Sequence, residues 1–326
     1  MASATRTPRA HNPPQRGINT LPVLALDAGN RFIKWLPAGG RPRCIPSFVK
    51  PLEPWEDACS DELSVILEVG GQRYAIGQVA QHLGGNPTFQ HDKCELASLL
   101  CLAAIEPPKG NQIAIDKLIV ALPDSRKSEA VAGVRRCKGA KTFIRNGQTI
   151  HATIKQVEPI DETRAAYSFA LKKRLFQYAR TNGILDLGGG TGIGRLYTPN
   201  GTLIRQADVI VPGTYALATK IAAALIPQLG HSPDLSLLMD AIAQGIYQYG
   251  TTGVDFQPIF EKCRAEWLTE IRAQLKSAWT QWLSELGEVL IIGGSAPLAE
   301  SLEQQSSRRF RLAPDPQLFN LYGMGG

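Results

Sequence analysis

The sequence lacks a long apolar segment and the cysteine pairs that build metal centres. No uninterrupted apolar run approaches the roughly 20 residues that cross a bilayer, and the first twenty residues are polar, unlike a secretory signal. None of the six cysteines forms a CxxC pair, which argues against a zinc finger and favours a reducing compartment. His82, His91 and Cys94 lie close in sequence, but nothing else completes a metal site. We therefore expect a cytoplasmic protein without a membrane segment.

Several common signatures of phosphate-binding and hydrolytic enzymes are also missing. The Walker pattern GxxxxGK[ST] fails because Ala140 separates Gly139 from Lys141 in the nearest stretch, KGAKT. The segment GGGTGIG (188–194) does not satisfy the dinucleotide pattern GxGxxG in any register. Neither a GxSxG elbow nor an HExxH helix occurs. These absences argue against P-loop, Rossmann, GxSxG-hydrolase and zincin chemistry.

The bulk composition is that of a globular protein with a basic extension. The chain has 326 residues, 44% of them hydrophobic and 20% charged, enough for two domains of ordinary size. The formal charge is +6, and the Pro-rich tail 1–20 contains three arginines, Arg6, Arg9 and Arg16, and no acid. We predict that this tail is disordered. An electrostatic contact with DNA or an acidic partner and a simply solvated extension both remain open for it.

One motif occurs twice in the chain. VLALDAGNRFIKWL (23–36) and GILDLGGGTGIGRLY (183–197) each contain an apolar run, an Asp-x-Gly turn and a second run, which predicts strand, tight turn and strand. Asp27 and Asp186 stand at the ends of the first strands. Glycines let backbone N–H groups approach a ligand and form an anion-binding nest. Two such nests with carboxylates beside them suit a polyphosphate bound with Mg²⁺.

The remaining patterns predict two α/β domains. Hairpins are expected around 70–71, 146–147 and 200–201, where Gly-Gly or Asn-Gly pairs interrupt strand patterns. Helices are expected at 92–106, 127–137, from 213 to Pro227, and over 256–286, where Trp267, Trp279 and Trp282 are candidate core anchors. A further helix is predicted over 161–180 with Asp161 as its N-cap. A nucleotide would then lie between the domains.

Taken together, these motifs resemble the actin-like ATPase superfamily. The first matches Asp-x-Gly-x₄-Lys through Asp27, Gly29 and Lys34, the second runs from Asp186 to Thr191, and Gly293-Gly294-Ser295 matches an adenosine-side turn. IPSFV (45–49), YAIGQVA (74–80) and IVALP (119–123) resemble the plasmid-segregation branch, the ParM/StbA-like proteins. The C-terminal segment departs from that branch, retaining at best Asn320 and Gly323.

The resemblance implies an α/β, actin-like two-domain fold made of duplicated ribonuclease H-like mixed sheets, with nucleotide in the interdomain cleft. Domain I would comprise 21–160 with the C-terminal segment 312–326, and domain II 161–311. Glu162 and Asp186 would be catalytic, and Asp27 and Asp186 would hold Mg²⁺. The implied cofactor-binding residues are Asp27, Gly29, Asn30, Lys34, Gly188, Gly189, Gly190, Thr191, Gly213, Gly293, Gly294 and Ser295.

The function that the resemblance implies is hydrolysis of ATP or GTP coupled to polymerisation into filaments, with plasmid DNA segregated through a DNA-binding adaptor protein. A non-polymerising kinase and a nucleotide-gated binding module of the same superfamily are the alternatives. The water-positioning acid stays open among three neighbours, Glu158, Asp161 and Glu162. Of these, Glu162 begins a Glu-x-x-Ala-Ala segment (162–166) that resembles the superfamily's connecting helix, which holds that acid.

Overall fold

The computed structural model describes residues 18–88, 93–106, 109–177 and 180–325. The predicted disordered tail, except for residues 18–20, lies outside these ranges, as does His91. The structure does not describe the side chain of Cys94 either, so the grouping of His82, His91 and Cys94 lies partly outside the described residues. In the described part of the chain, no helix has the length and apolar character needed to cross a membrane.

The first sheet has ten strands in the order β3-β2-β1-β8-β10-β9-β5-β6-β4-β7. Its three central strands, β1, β8 and β10, run parallel, and the other neighbours pair antiparallel. The strand bounds are β1 Asn19–Ala28, β2 Phe32–Pro37, β3 Arg43–Pro46, β4 Phe48–Leu52, β5 Ser64–Val69, β6 Gln72–Gly77, β7 Asn86–Pro87, β8 Gln112–Leu122, β9 Gly139–Arg145 and β10 Gln148–Asp161.

The second sheet has five strands in the order β13-β12-β11-β14-β15. Here β11 pairs antiparallel with β12 and parallel with β14, and β14 pairs parallel with β15. The bounds are β11 Thr181–Leu187, β12 Thr191–Tyr197, β13 Leu203–Pro212, β14 Leu286–Ile292 and β15 Phe310–Leu312.

The two sheets share one plan. In each, an antiparallel three-stranded meander is followed by two parallel strands: β3-β2-β1-β8-β10 in the first and β13-β12-β11-β14-β15 in the second. Asp27 on β1 and Asp186 on β11 therefore occupy equivalent places, near the end of the central strand that begins each hairpin. The duplicated mixed-sheet architecture expected from the sequence is present.

Helices pack against and between the sheets. Trp267 and Trp279 are fully buried beside the second sheet, and their indole N–H groups donate to the carbonyls of Pro212 and Ala207 at 2.8 Å, which removes the cost of burying those donors. Trp282 is only partly buried. The helix bounds are α1 Gln78–His82, α2 Lys93–Ala103, α3 Ser128–Arg135, α4 Arg164–Lys172, α5 Thr214–Leu229, α6 Leu235–Gln244, α7 Gln257–Ala278, α8 Glu300–Gln305 and α9 Phe319–Gly325.

Helices α4 and α9 lie where the two sheets meet. One face of α4 packs with the second sheet through Ala166, Tyr167 and Ala170. Its Ala165 packs with Ala25 of the first sheet and with α9. The C-terminal helix thus returns to the first sheet, whereas β15 belongs to the second sheet.

Three local predictions were wrong. Asp161 does not cap α4: it is the last residue of β10, which stays in register with β8 up to Leu122, and Thr163 takes the N-cap position. The helix predicted to 180 ends at Lys172. Pro227 does not end α5, which continues to Leu229, because a proline in the last turn removes few intrahelical hydrogen bonds.

Candidate functional site

A single cavity of about 490 Å³ opens between the two sheets. This volume lies within the usual range for small-molecule sites, roughly 300–1,000 Å³. Every residue predicted to act in catalysis or binding lines it except Gly213. The lining members of that set are Asp27, Gly29, Asn30, Lys34, Glu162, Asp186, Gly188, Gly189, Gly190, Thr191, Gly293, Gly294 and Ser295.

The first hairpin places a cation beside an acid. The antiparallel register of β1 and β2 sets Lys34 directly opposite Asp27, and Lys34 Nζ lies 2.8 Å from Asp27 Oδ2. Buried Ser47 supports the loop, since its hydroxyl donates to the carbonyl of Gly29 at 2.8 Å and its N–H to that of Arg31 at 2.9 Å. Ser47 belongs to the IPSFV segment, so that motif has a structural role at the turn.

The charges of the hairpins act on one another. Burial would lower the pKa of Lys34, but the charge and hydrogen bond of Asp27, with a smaller contribution from Asp186, raise it above its ordinary value. Burial raises the pKa of Asp186 to about 6; the like charge of Asp27 adds to this and the charges of Lys34 and Arg195 oppose it. Because a buried carboxylate is costly without a partner, Asp186 is suited to binding a cation.

The second hairpin faces the first across the cavity. A Cβ atom on Gly190 would come within 2.4 Å of Asn30 Nδ2, and one on Gly189 within 2.9 Å of the Arg31 side chain. The glycines thus let two loops from different sheets approach closely. The Gly188 N–H donates to the Thr191 carbonyl at 3.1 Å within the second hairpin.

Gly213 was predicted to bind the cofactor but lies behind the second hairpin. A Cβ atom there would come within 2.7 Å of the Gly188 carbonyl and the Thr191 nitrogen. Because glycine has no Cβ atom, α5 can begin directly against the loop of the second hairpin. Thr214, the first residue of that helix, lines the cavity in place of Gly213. Gly213 therefore supports the site without lining it.

The Gly-Gly turn after β14 completes this side of the cavity. Gly293 has a φ of 94°, and a Cβ atom on it would come within 2.4 Å of Asp186 Oδ1, so both conformation and space require glycine. Ser295 ties the turn to the second hairpin: its N–H donates to the Leu187 carbonyl at 3.0 Å, and its hydroxyl donates to the Gly188 carbonyl at 3.2 Å. The three motifs form one connected wall.

The geometry separates the three acids that the sequence left open. Glu158 is exposed and pairs with Lys117 at 3.0 Å. Asp161 is buried in an ion pair with Arg205 and accepts from the Ser125 N–H at 2.8 Å. Only Glu162 of the three lines the cavity.

Sequence reasoning missed the side of the cavity formed by α6 and α7. These helices, the loop between them and the turn after β14 contribute a mixed apolar and polar surface that no local sequence motif predicts. It includes Met239, Ile242, Gln244, Tyr247, Arg264 and Leu298. The sequence signal that could have found it is weak, because the contributing residues are spread over about sixty positions and no short pattern joins them.

The cavity residues suit a nucleotide with a divalent cation. Asp27 and Asp186 supply carboxylate oxygens, which Mg²⁺ prefers, and phosphate oxygens and water would have to complete its coordination. Among the described residues, Asn30 Oδ1 is buried without a hydrogen-bond partner. This amide oxygen can therefore accept a hydrogen bond from a ligand. No cluster of three or more metal-ligating side chains occurs in the described ranges, so a cation here would need the ligand's oxygens.

Comparisons with known proteins agree with this fold. Residues 25–162 match the family of actin-like proteins, N-terminal domain. An archaeal actin homologue, Ta0583, superposes with a TM-score of 0.77 at 14% identity over 94% of this chain and 98% of that chain. A complex of Ta0583 with ADP gives a TM-score of 0.76 at 15% identity, over 93% and 98%. A 15-stranded ParM filament from Clostridium botulinum gives 0.74 at 15% identity, over 94% and 98%. No curated protein matches significantly in sequence.

Proposed function

We propose that this chain, an actin-like protein in fold and in its N-terminal domain, binds ATP or GTP with Mg²⁺ between its two sheets and hydrolyses it. One observation carries the proposal. Two equivalent Asp-x-Gly hairpins, from two sheets of the same plan, face each other across one cavity. Facing amide-lined turns with two carboxylates and one lysine complement a triphosphate and its metal.

Each side chain at the hairpins has a role that its position supports. Lys34 acts as a point charge on a phosphate, exchanging part of its contact with Asp27 for the ligand. Asp27 and Asp186 hold Mg²⁺, directly or through its waters. The metal supplies charge neutralisation on the phosphates. Glu162 orients the attacking water, since phosphoryl transfer depends mainly on positioning and electrostatics.

We propose further that the protein polymerises with nucleotide and segregates plasmid DNA through a DNA-binding adaptor. Support for polymerisation comes from the similarity in fold to structures of ParM and Alp12 filaments. The adaptor and the plasmid role rest on the sequence resemblance to the plasmid-segregation branch. The presence of Lys34 in the first motif favours this branch over sugar and acetate kinases, which the resemblance leads us to expect without that lysine.

Right-angle light scattering after addition of Mg-ATP or Mg-GTP, with phosphate release followed in the same sample, tests both parts. Scattering that rises and then decays as phosphate appears is the expected result. Phosphate release without scattering would remove polymerisation and favour a soluble enzyme or switch. A lack of nucleotide binding by calorimetric titration, with either nucleotide, would overturn the whole proposal.

Glu162→Gln and Glu158→Gln form a matched pair for the catalytic assignment. The two glutamates lie four residues apart and receive the same neutral substitution, but only Glu162 lines the cavity. We expect Glu162→Gln to lower the hydrolysis rate by about 100-fold, in the range for positioned acid–base groups, and to spare nucleotide affinity. Glu158→Gln should hydrolyse at the native rate. The reverse pattern would show that Glu158 is the acid.

A further inference from the structure

A buried arginine of the second sheet reaches the chain segment that carries Glu162. Arg195 on β12 is 3% exposed. Its Nη1 donates to the Glu162 carbonyl at 2.6 Å, and its Nη2 donates to the Pro123 carbonyl at 2.5 Å. Pro123 follows β8 and Glu162 follows β10, so one guanidinium holds the ends of two parallel strands of the other sheet. Both residues whose carbonyls accept these hydrogen bonds line the cavity.

A second side chain of β12 holds the next residue of that segment. Thr163 is fully buried and has a φ of 76°, which is unfavourable for a β-branched residue and persists only where its surroundings enforce it. Its hydroxyl hydrogen-bonds the hydroxyl of Tyr197 at 2.8 Å, and Arg195 Nη1 also lies 3.4 Å from it. The strained residue directly after Glu162 is therefore held from the second sheet.

The local sheet geometry explains why these two side chains point the same way. Ile193, Arg195 and Tyr197 alternate along β12 and so share one face, and Ile193 lines the cavity opposite Asp186 in the strand register. The register of β12 with β13 shifts beside Arg195, and such irregularities can redirect a side chain. Asp208 lies in the β13 segment at this shift, and its Oδ2 is 3.4 Å from Arg195 Nε. The charge of Arg195 is thus balanced in the interior.

We propose that Arg195 and Tyr197 are positioning residues that fix the Glu162 turn from the second sheet and so couple the second Asp-x-Gly hairpin to the acid that orients water. The proposal rests on the proposed hydrolysis at this cavity. Arg195 and Tyr197 belong to the strand that leaves the hairpin, so a ligand that orders the hairpin also orders the turn. Displacement of a catalytic group by about 1 Å can cost on the order of 100-fold in rate.

Tyr197→Phe tests the coupling without emptying the core, and Tyr167→Phe is its matched control. The two tyrosines are both buried, and their rings stack with centroids 4.2 Å apart. The Tyr197 hydroxyl contacts Thr163, whereas the Tyr167 hydroxyl donates to the Thr198 carbonyl at 3.0 Å, away from the Glu162 turn. We expect Tyr197→Phe to lower kcat for phosphate release by about tenfold, with KM and nucleotide affinity within about twofold of wild type. Tyr167→Phe should retain native kcat; equal losses in the two variants would overturn the proposal.

Arg195→Lys in combination with Glu162→Gln tests whether Arg195 acts through Glu162. Lysine keeps the charge but cannot hold two carbonyls and Asp208 together. If Arg195 works by placing Glu162, the double variant should hydrolyse no more slowly than Glu162→Gln alone. Independent losses that multiply would assign Arg195 a separate structural role and overturn the proposal.

Hydrogen exchange without nucleotide separates this proposal from the proposed function. The Glu162 N–H donates to the Leu122 carbonyl at 2.7 Å and reports directly on the turn. In the Arg195→Lys and Tyr197→Phe variants, the peptide spanning 160–167 should exchange at least about tenfold faster than in wild type, while peptides of β14 stay unchanged. Unchanged exchange at 160–167 would overturn the positioning role even if the wild type hydrolyses nucleotide. Faster exchange in a protein without hydrolysis would retain the positioning role and reject the enzymatic one.

Discussion

At the level of single residues, the two hairpins are equivalent in position but not in charge. Lys34 stands opposite Asp27, whereas the residue opposite Asp186 is Ile193. Asp27 therefore has a cation at 2.8 Å, and the closest strand partner of Asp186 is apolar. The raised pKa of Asp186, about 6 from burial and the charge of Asp27, follows from this asymmetry. A cation bound together with the ligand would stabilise the ionised form of the Asp186 carboxylate.

Asp186→Asn is expected to stabilise the nucleotide-free protein while abolishing hydrolysis. In the folded protein the pKa of Asp186 lies above its ordinary value of 3.8, so ionisation opposes folding. The protonated Asp186 carboxyl is the form that folding favours. The stability that it contributes is complete below pH 3.8 and is lost as pH rises through about 6. In the presence of a chelator, chemical unfolding at pH 7.5 should show the variant more stable by about 3 kcal/mol. Near pH 4 the difference should largely vanish.

Asp116→Asn serves as the control for this pH dependence. Asp116 pairs with Lys155 on the surface at 2.7 Å, and exposed pairs contribute at most about 1 kcal/mol. We expect its variant to follow the wild type at both pH values. An Asp186→Asn protein that is less stable than wild type at pH 7.5 would contradict the assignment of a costly buried charge.

At the level of elements, strand and hairpin patterns were predictable, and helix ends were not. The Asp-x-Gly, Gly-Gly and Asn-Gly turns fall where the sequence predicts them because their backbone geometry is encoded locally. The start of α4 depends instead on β10 remaining paired with β8 to Leu122, a long-range contact. That pairing keeps Asp161 in a strand and forces Thr163 into a left-handed conformation, against the local N-cap preference for aspartate.

The contact of α4 with α9 depends on Gly323. A Cβ atom at this position would lie 2.2 Å from the Ala165 carbonyl oxygen, so two helix backbones touch where the sheets meet. Alanine normally stabilises a helix relative to glycine by about 1 kcal/mol. We expect Gly323→Ala to have the opposite sign, lowering the free energy of unfolding by about 1–3 kcal/mol through overpacking. Urea denaturation measures the change.

Gly325→Ala in the same helix is the matched control. The three atoms nearest to its added methyl group would all belong to the Leu36 side chain, with Cδ2 at 2.8 Å and Cγ at 3.2 Å, and this flexible side chain can rotate away. We expect a loss below about 1 kcal/mol. Equal effects at the two positions would show that α9 shifts as a body and that the Gly323 contact is not a close backbone approach.

At the level of the whole molecule, the sequence indicated which residues share a cavity but not what closes it. The hairpin residues carry a readable motif, and the duplicated sheets bring them together. The wall from α6 and α7 and the cross-cavity contact of Arg31 depend on how helices pack over the second sheet. No short pattern records that packing, so Arg31, Met239 and Arg264 could not be assigned from the sequence.

The cleft ion pair between Arg31 and Asp240 is the basis of the last prediction. Arg31, in the first hairpin loop, pairs with Asp240 of α6, and Gln81 Nε2 of α1 donates to the same carboxylate at 3.3 Å. Two residues from the side of the first sheet thus hold one helix of the other side across the cavity that Arg31 lines. We expect that release of the proposed nucleotide by opening of the cleft would break this contact.

Asp240→Asn should therefore speed nucleotide dissociation. A partly exposed pair contributes up to about 1 kcal/mol, which corresponds to a release rate about threefold to fivefold higher. Stopped-flow displacement of a fluorescent ATP analogue by excess ATP measures this rate. The wild-type rate should also rise with added salt, which screens the pair, whereas the variant's rate should respond less. Glu270→Gln, which removes the exposed pair with Lys220 at 3.1 Å, should leave release unchanged; a slower or unaltered rate in Asp240→Asn would show that opening does not pass through this contact.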